Sequence, residues 1–121
     1  MAKKPEEKKT SLDKATISKI LRTVSQSEGL HFFKGTGDPT GKIATSLVDF
    51  VEKMRVVDIR AVNYHFKRRE FEKWMRETIG DFDLSKRIGK LGKETHGEKL
   101  RNEIVRIVKG RIDELKDTQI K

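Results

Sequence analysis

The stretch from residue 44 to residue 75 reads ATSLVDFVEKMRVVDIRAVNYHFKRREFEKWM and decides the fold, because it holds three elements in unbroken succession. Its middle, residues 57–66, is rich in β-branched and aromatic residues that alternate with a period of two, which predicts a central β-strand. Residues 47–54 and residues 71–79 repeat apolar side chains at helical spacing, which predicts a helix on each side of that strand. We expect Ser46 to cap the first of these helices and Gly80 to end the second.

The segments on either side complete the predicted fold. Residues 11–26 carry one apolar face and predict a helix, and residues 30–33 and 42–44 flank a glycine-rich turn, which predicts a hairpin. Two more helices are expected: one at residues 81–91, capped by Asp81 or Asp83, and one at residues 95–116, capped by Thr95, which is the longest element. The class is therefore α+β, with a small antiparallel sheet of about three strands, roughly four or five helices and a long C-terminal helix.

The domain organisation follows from where the apolar residues lie. Residues 11–116 are expected to form one α+β domain, since a chain of 121 residues is long enough for one core and too short for two. Residues 1–10 are charged with no apolar anchor, which predicts a flexible basic arm. Residues 117–121 are predicted to be a loose tail.

The charge of the chain indicates its partners. The formal net charge is +9, and 39% of the residues are charged while only 34% are hydrophobic. Such an excess of positive charge attracts polyanions, so nucleic acid, ribosomes and acidic membranes are the natural partners. A heat-adapted surface is the alternative explanation, and the low number of amides, two Asn and two Gln, fits a thermophile. A heat-adapted surface by itself would balance its cations with carboxylates.

Several classes of protein are excluded by what the chain lacks. It has no cysteine, which rules out disulfides, thiolate metal sites and a cysteine nucleophile. It contains no apolar run of about 20 residues and no signal-peptide pattern, so we expect neither a membrane span nor secretion. The expected location is the cytoplasm.

No motif predicts catalysis. Gly37, Gly41 and Lys42 resemble a phosphate-binding loop, but three residues separate the glycines where four are required, and the lysine is not followed by Ser or Thr. The only three histidines, His31, His65 and His96, have no metal-ligand spacing, and structural roles are expected for them. We therefore expect no enzyme activity, no cofactor and no metal.

The basic residues are the candidate functional site. A run of three cations lies at the predicted strand-to-helix junction, where the helix dipole disfavours positive charge, and a second group leads into a basic stripe on the last helix. Contacts with phosphates and a solvated surface paired to nearby carboxylates are alternative explanations of these groups. The candidate nucleic-acid-binding residues are Lys67, Arg68, Arg69, Lys86, Arg87, Lys90, Lys93, Lys99, Arg106 and Lys109.

The last helix also suggests association. Its apolar residues span a wide arc, with Val105 and Ile112 at the border, where a second subunit could reach them. A homodimer with Val105 and Ile112 in its interface is therefore expected. The alternative is a monomer in which the N-terminal helix covers this face.

The stretch from residue 31 to residue 88 resembles an archaeal family of domains of unknown function. The shared marks are a hairpin ending in TG, a helix start ATSL, a VD-to-HF segment, a basic residue before F..W, and a GD turn. The resemblance brings no catalytic residues, and the run of Lys67, Arg68 and Arg69 departs from it. More loosely, a small basic protein of this kind is similar to archaeal factors that bind ribosomal subunits and pair or silence them.

These observations predict a non-enzymatic, ribosome- or RNA-associated protein, with a ribosomal protein as a further contact. As a homodimeric factor it would bind or pair ribosomal subunits and inhibit translation. A DNA-binding or chromatin protein using the same charge is the first alternative. An accessory or regulatory domain for a metabolic enzyme is the second.

Overall fold

The computed structural model describes residues 12–120. The predicted basic arm, residues 1–10, lies outside them. The described chain forms six helices and one two-stranded antiparallel sheet, with a short 3₁₀ turn before the sheet. In chain order the elements are α1 (Lys14–Leu21), the 3₁₀ turn (Gln26–Glu28), β1 (Leu30–Gly35), β2 (Asp38–Ala44), α2 (Leu47–Val56), α3 (Ile59–Lys67), α4 (Glu70–Lys73), which continues as a π-helix (Trp74–Ile79), α5 (Phe82–Gly89) and α6 (Gly97–Ile120).

The α+β class is confirmed, but the predicted central strand at residues 57–66 is wrong, because that segment forms α3. Asp58 caps this helix by accepting a hydrogen bond from the Arg60 backbone N–H at 2.9 Å. Ala61, Val62 and His65 are buried, which is the spacing of one helical face. Burying this face against the rest of the core therefore overrides the strand preference of the individual residues.

The hairpin is confirmed, with longer strands than predicted. Leu30 pairs with Ala44 and Gly35 with Asp38, so that only Thr36 and Gly37 form the turn, where Gly37 has a φ of 72°. Two irregularities interrupt the register between these pairs. α3 packs along β1, so a helix occupies the place predicted for a third strand.

The core lies between the hairpin and the two helices that the apolar spacing predicted. Phe50, Phe71 and Trp74 are buried, and the rings of Phe50 and Trp74 stack with their centroids 5.9 Å apart. Ser46 caps α2 as expected, by accepting from the Asp49 N–H, and Asp49 accepts from the Thr45 N–H in return. The helices at residues 47–54 and 71–79 are thus confirmed.

The second of these helices ends in an unusual way. Its last six residues, Trp74–Ile79, are π-helical, and Gly80 follows with a φ of 90° at the position predicted for a terminating glycine. Arg22, just beyond α1, donates to the backbone oxygens of Thr78 and Ile79 at 2.8 and 3.3 Å. A guanidinium from a distant segment therefore satisfies carbonyls that the helix leaves without partners.

The long helix α6 packs against α1, α2, α3 and α5. It continues beyond the predicted end near Lys116 to Ile120, and its first N–H, that of Gly97, bonds to Asn63 at 2.8 Å rather than to the expected Thr95 cap. Ile112 is only 6% exposed, inside the core, and Val105 is half-buried. Ile112 is therefore not on the surface where the predicted dimer interface required it.

A buried ion pair joins α5 to α6. Arg111 donates from Nε to Asp81 Oδ2 at 2.7 Å and from Nη2 to Asp81 Oδ1 at 3.1 Å. Asp81 also caps α5, as predicted, by accepting from the Leu84 N–H at 3.0 Å. Both side chains are almost completely buried, so the pair fixes the angle between the two helices through three directional hydrogen bonds.

We predict that Arg111→Met destabilises the fold by about 3–5 kcal/mol, because it leaves the Asp81 carboxylate buried without its cation. Chemical denaturation measures this loss. Arg106→Met is the matched control in the same helix, since the Arg106 side chain is 69% exposed and its pair with Glu103 contributes at most about 1 kcal/mol. Equal effects of the two substitutions would show that the buried pair has no special role.

Candidate nucleic-acid interface

The predicted site contains arginines and lysines, and the structure separates the two. All four arginines of the site form ion pairs: Arg68 with Glu70 at 3.0 Å, Arg69 with Glu72 at 3.4 Å, Arg106 with Glu103 at 2.6 Å, and Arg87 with Glu114 and Asp83. Their charges are partly neutralised within the molecule. The alternative explanation, cations paired with nearby carboxylates, therefore applies to the arginines.

The lysines of the site behave differently. All of them are exposed, and within residues 12–120 none forms an ion pair with a carboxylate. An exposed ammonium group on a flexible stem keeps its full charge available to a partner. These free lysines are Lys67, Lys86, Lys90, Lys93, Lys99 and Lys109.

Two contacts bring the first two groups of the predicted site together. The Glu72 carboxylate, which pairs with Arg69, lies against the backbone of Gly89 at the end of α5. On the other side, Asn63 of α3 holds Gly97 at the start of α6. The loop at residues 90–96 is therefore anchored at one end near the start of α4 and at the other end on α3.

These contacts place basic residues from separate parts of the sequence in one region. Lys86 is exposed on α5, Lys90 follows one turn later, directly after the last residue of that helix, and Lys93 is exposed in the loop. Lys67 lies one turn beyond Asn63, the residue of α3 that holds the other end of the loop. We call Lys67, Lys86, Lys90 and Lys93 the lysine surface.

The stripe predicted on α6 is less basic than the lysine surface. Lys99, Arg106 and Lys109 are exposed on one side of the helix, but Glu103 and Asp113 lie among them. Arg106 is bound to Glu103 as well. The α6 stripe therefore carries a mixed charge and is a secondary candidate for phosphate contacts.

Sequence reasoning missed one residue of this region. Phe82, the first residue of α5, is 64% exposed and lies one turn before Lys86. An exposed aromatic ring beside lysines is a common platform for an unpaired base. The signal was present in the sequence, because Phe82 falls outside the apolar line formed by Leu84 and Ile88.

The run at residues 67–69 lies between two helices and not, as predicted, at a strand-to-helix junction. Lys67 is the last residue of α3, where the helix dipole favours positive charge, whereas Arg69 is the N-cap of α4, where the expected conflict with the dipole remains. Arg69 has a φ of 61°, a left-handed conformation that is uncommon for a residue with a side chain. The guanidinium of Arg68 lies 5.2 Å from the centre of the Tyr64 ring.

His65 and Glu70 hold this corner in place. The Phe33 backbone N–H donates to His65 Nε2 at 2.8 Å, so that nitrogen carries no proton, and Nδ1–H donates to Glu70 Oε1 at 2.6 Å. His65 therefore joins β1 to α4 through both of its ring nitrogens. Because its Nε2 lone pair is already occupied, this imidazole is not free to take a proton from a substrate.

The two partners of Glu70 also decide its ionisation. Burial raises the pKa of Glu70, but hydrogen bonds from His65 and Arg68 outweigh burial and hold the pKa below its ordinary value of 4.5. The ionised carboxylate therefore stabilises the junction between α3 and α4 at neutral pH.

Comparisons with known proteins add nothing to this geometry, because no family model, no curated protein and no solved structure matches the chain. Between residues 12 and 120, no helix is both long and apolar enough to cross a membrane. In the same part of the chain, no three His, Asp or Glu side chains are grouped as ligands for a metal.

We predict that Glu70→Gln loses less stability than the wild type as the pH falls below about 4.5. A carboxyl group whose pKa is lowered by folding stabilises the protein above about pH 4.5, and this stabilisation is lost as the pH falls through the folded-state pKa. Thermal melting between neutral pH and about pH 3 measures the difference between wild type and variant. Glutamine can still accept the His65 hydrogen bond, so parallel pH curves for the two proteins would contradict the assigned role of the charge.

Proposed function

We propose that this protein is a non-enzymatic RNA-binding factor of the cytoplasm that associates with ribosomal subunits and lowers their translation activity. The lysine surface carries the proposal, because its ammonium groups are exposed and lack partners among the described residues. Phosphate contacts from such lysines supply affinity that does not depend on base sequence. The resemblance to archaeal domains of unknown function and the high charge further suggest a thermophilic archaeal source.

The net positive charge and an exposed aromatic ring support RNA as the partner. The net charge of +9 favours encounter with a large polyanion, and the exposed Phe82 ring beside Lys86 favours a strand with unpaired bases. RNA presents such bases in loops and bulges, whereas bases in duplex DNA are stacked and paired. RNA is therefore preferred over DNA for this surface.

A homodimer is part of the proposal, since two copies of the lysine surface could bridge two ribosomal subunits. The burial of Ile112 removes it from the interface, so Val105 is the remaining candidate. Val105 lies one turn beyond Arg101, which bonds to the carbonyls of Met54 and Val57 at the end of α2. Val56, also at that end of α2, is 66% exposed and is an apolar side chain available to a second subunit or a ribosomal protein.

Sedimentation of the native protein through a sucrose gradient with cell extract tests the partner. We expect the protein in the ribosomal-subunit fractions at moderate salt and its release at high salt, because lysine–phosphate contacts are screened by salt. Recovery with the nucleoid would support the DNA-binding alternative. Absence from both fractions would contradict the proposal and favour an accessory domain of an enzyme.

We predict that replacing Lys86, Lys90 and Lys93 together with Gln weakens RNA binding uniformly across sequences. Each lost phosphate contact should lower the slope of log affinity against log salt by about 0.7 for single-stranded RNA, so the triple variant should lose about 2. Fluorescence anisotropy with labelled RNA over a series of salt concentrations measures both quantities.

The matched control removes the same charge elsewhere, by replacing Lys14, Lys42 and Arg55 with Gln. These cations belong to α1, β2 and α2, outside the lysine surface. Because net charge falls equally in both variants, only the loss of specific contacts distinguishes them. Equal salt slopes for the two variants would show that the lysine surface is merely solvated.

The dimer is tested by Val105→Glu. We expect sedimentation equilibrium at tens of micromolar to give a dimer for the wild type and a monomer for the variant, because a buried carboxylate destabilises an apolar interface. A monomer mass for the wild type would refute the homodimer. Persistence of the dimer in the variant would place the interface elsewhere.

A further inference from the structure

A pocket of about 420 Å³ opens between the hairpin and the α3–α4 corner. Its walls come from β1, the hairpin turn, α3 and the π-helical end of α4. Aromatic side chains supply much of the lining, and groups that form hydrogen bonds lie between them. The residues that matter for recognition are Phe33, Thr36, Tyr64, Lys73, Trp74 and Glu77.

We propose that this pocket takes one unpaired nucleobase of the RNA held by the lysine surface. This inference rests on the proposed function and deepens it. The rings of Phe33 and Tyr64 line the pocket and can stack on a base, and base–aromatic stacking tolerates any base. Trp74, whose ring stacks on Phe50, forms the inner wall. Recognition of RNA by proteins commonly uses bases that are turned out of the helix in this way.

The charges at the pocket fit a nucleotide. Lys73 is exposed and lines the pocket, where its ammonium group can meet the phosphate of the bound nucleotide. The Glu70 carboxylate is already occupied by His65 and Arg68. Glu77, which is 53% exposed and only loosely paired with Arg76 at 3.4 Å, remains able to accept from an amino group of a base.

The pocket also adjoins the lysine surface. Lys73 follows Glu72, whose carboxylate lies against Gly89 at the end of α5, next to Lys90. Arg68, above the Tyr64 ring, immediately follows Lys67. An RNA strand that lies along the lysine surface is thus led around the start of α4 to the pocket.

Trp74 is the only tryptophan of the chain and lines the pocket, so its fluorescence reports directly on occupancy. The probes are single-stranded oligoadenylate and the duplex that it forms with oligouridylate of equal length. We expect the single strand to quench Trp74 emission and the duplex to leave it unchanged, because paired bases cannot enter. Equal quenching by both probes would overturn the assignment.

Two variants of Tyr64 separate stacking from structure. Tyr64→Leu removes the ring and should weaken single-strand binding about tenfold, the effect of losing one stacked base, with duplex affinity unchanged. Tyr64→Phe keeps the ring and loses only the hydroxyl contact to Thr36, 3.1 Å away, so it should bind like the wild type. Circular dichroism melting checks that both variants remain folded.

The outcomes distinguish this inference from the proposed function. If the variant of Lys86, Lys90 and Lys93 loses affinity while Tyr64→Leu binds both probes as the wild type does, the pocket is not a base site and the lysine surface stands. If Tyr64→Leu weakens single strand and duplex equally, the ring has only a structural role and the inference is wrong. If the wild type binds neither probe, both proposals fail.

Discussion

The buried ion pair of Asp81 and Arg111 fixes α5, the helix that carries Phe82 and Lys86, against the long helix α6. Asp81 follows the left-handed Gly80, caps α5 with one oxygen and holds Arg111 with both. A buried carboxylate that accepts three hydrogen bonds tolerates little rotation, because any rotation weakens several of these bonds at once. The ion pair therefore fixes α5 against α6 at the N-terminus of α5. Lys86 and Lys90 lie toward the C-terminus of the same helix.

Arginine and lysine have different roles in this molecule, because their side chains differ chemically. The planar guanidinium donates in several fixed directions, and here arginines end helices or hold carboxylates, as Arg22, Arg101 and Arg111 do. The ammonium group of lysine is a mobile point charge that suits irregularly spaced phosphates. The high charge of this chain thus has two separate causes: arginines that hold the fold together and lysines that remain available on its surface.

How far the sequence predicted this molecule depends on the range of the interactions. Ser46, Gly80 and Asp81 were recognisable as helix boundaries, because capping is decided within a few residues. The helix at residues 59–67 was missed, since its β-branched and aromatic residues favour a strand locally and only the packing of Ala61 and His65 against distant segments makes it helical. Pairs such as His65 with Phe33 join residues far apart in the chain, and no local pattern reveals them. The basic groups were predicted, but which cations are paired depends on three-dimensional neighbours.

The corner between α3 and α4 shows why a surface feature and a structural feature can share the same residues. Glu70 accepts hydrogen bonds from His65 on its buried side and from Arg68 on its exposed side. The Arg68 guanidinium also lies over the ring of Tyr64. The inner half of this network fixes β1 against α4, while the outer half presents an aromatic ring and positive charge to solvent. Because the inner contacts are directional, the outer groups are held in place before any partner arrives, and a ligand that stacks there loses less entropy on binding. In the proposed complex, stacking would depend little on salt and the lysine contacts would depend on it strongly, so the lysine surface would supply attraction and the pocket would supply selectivity for unpaired bases.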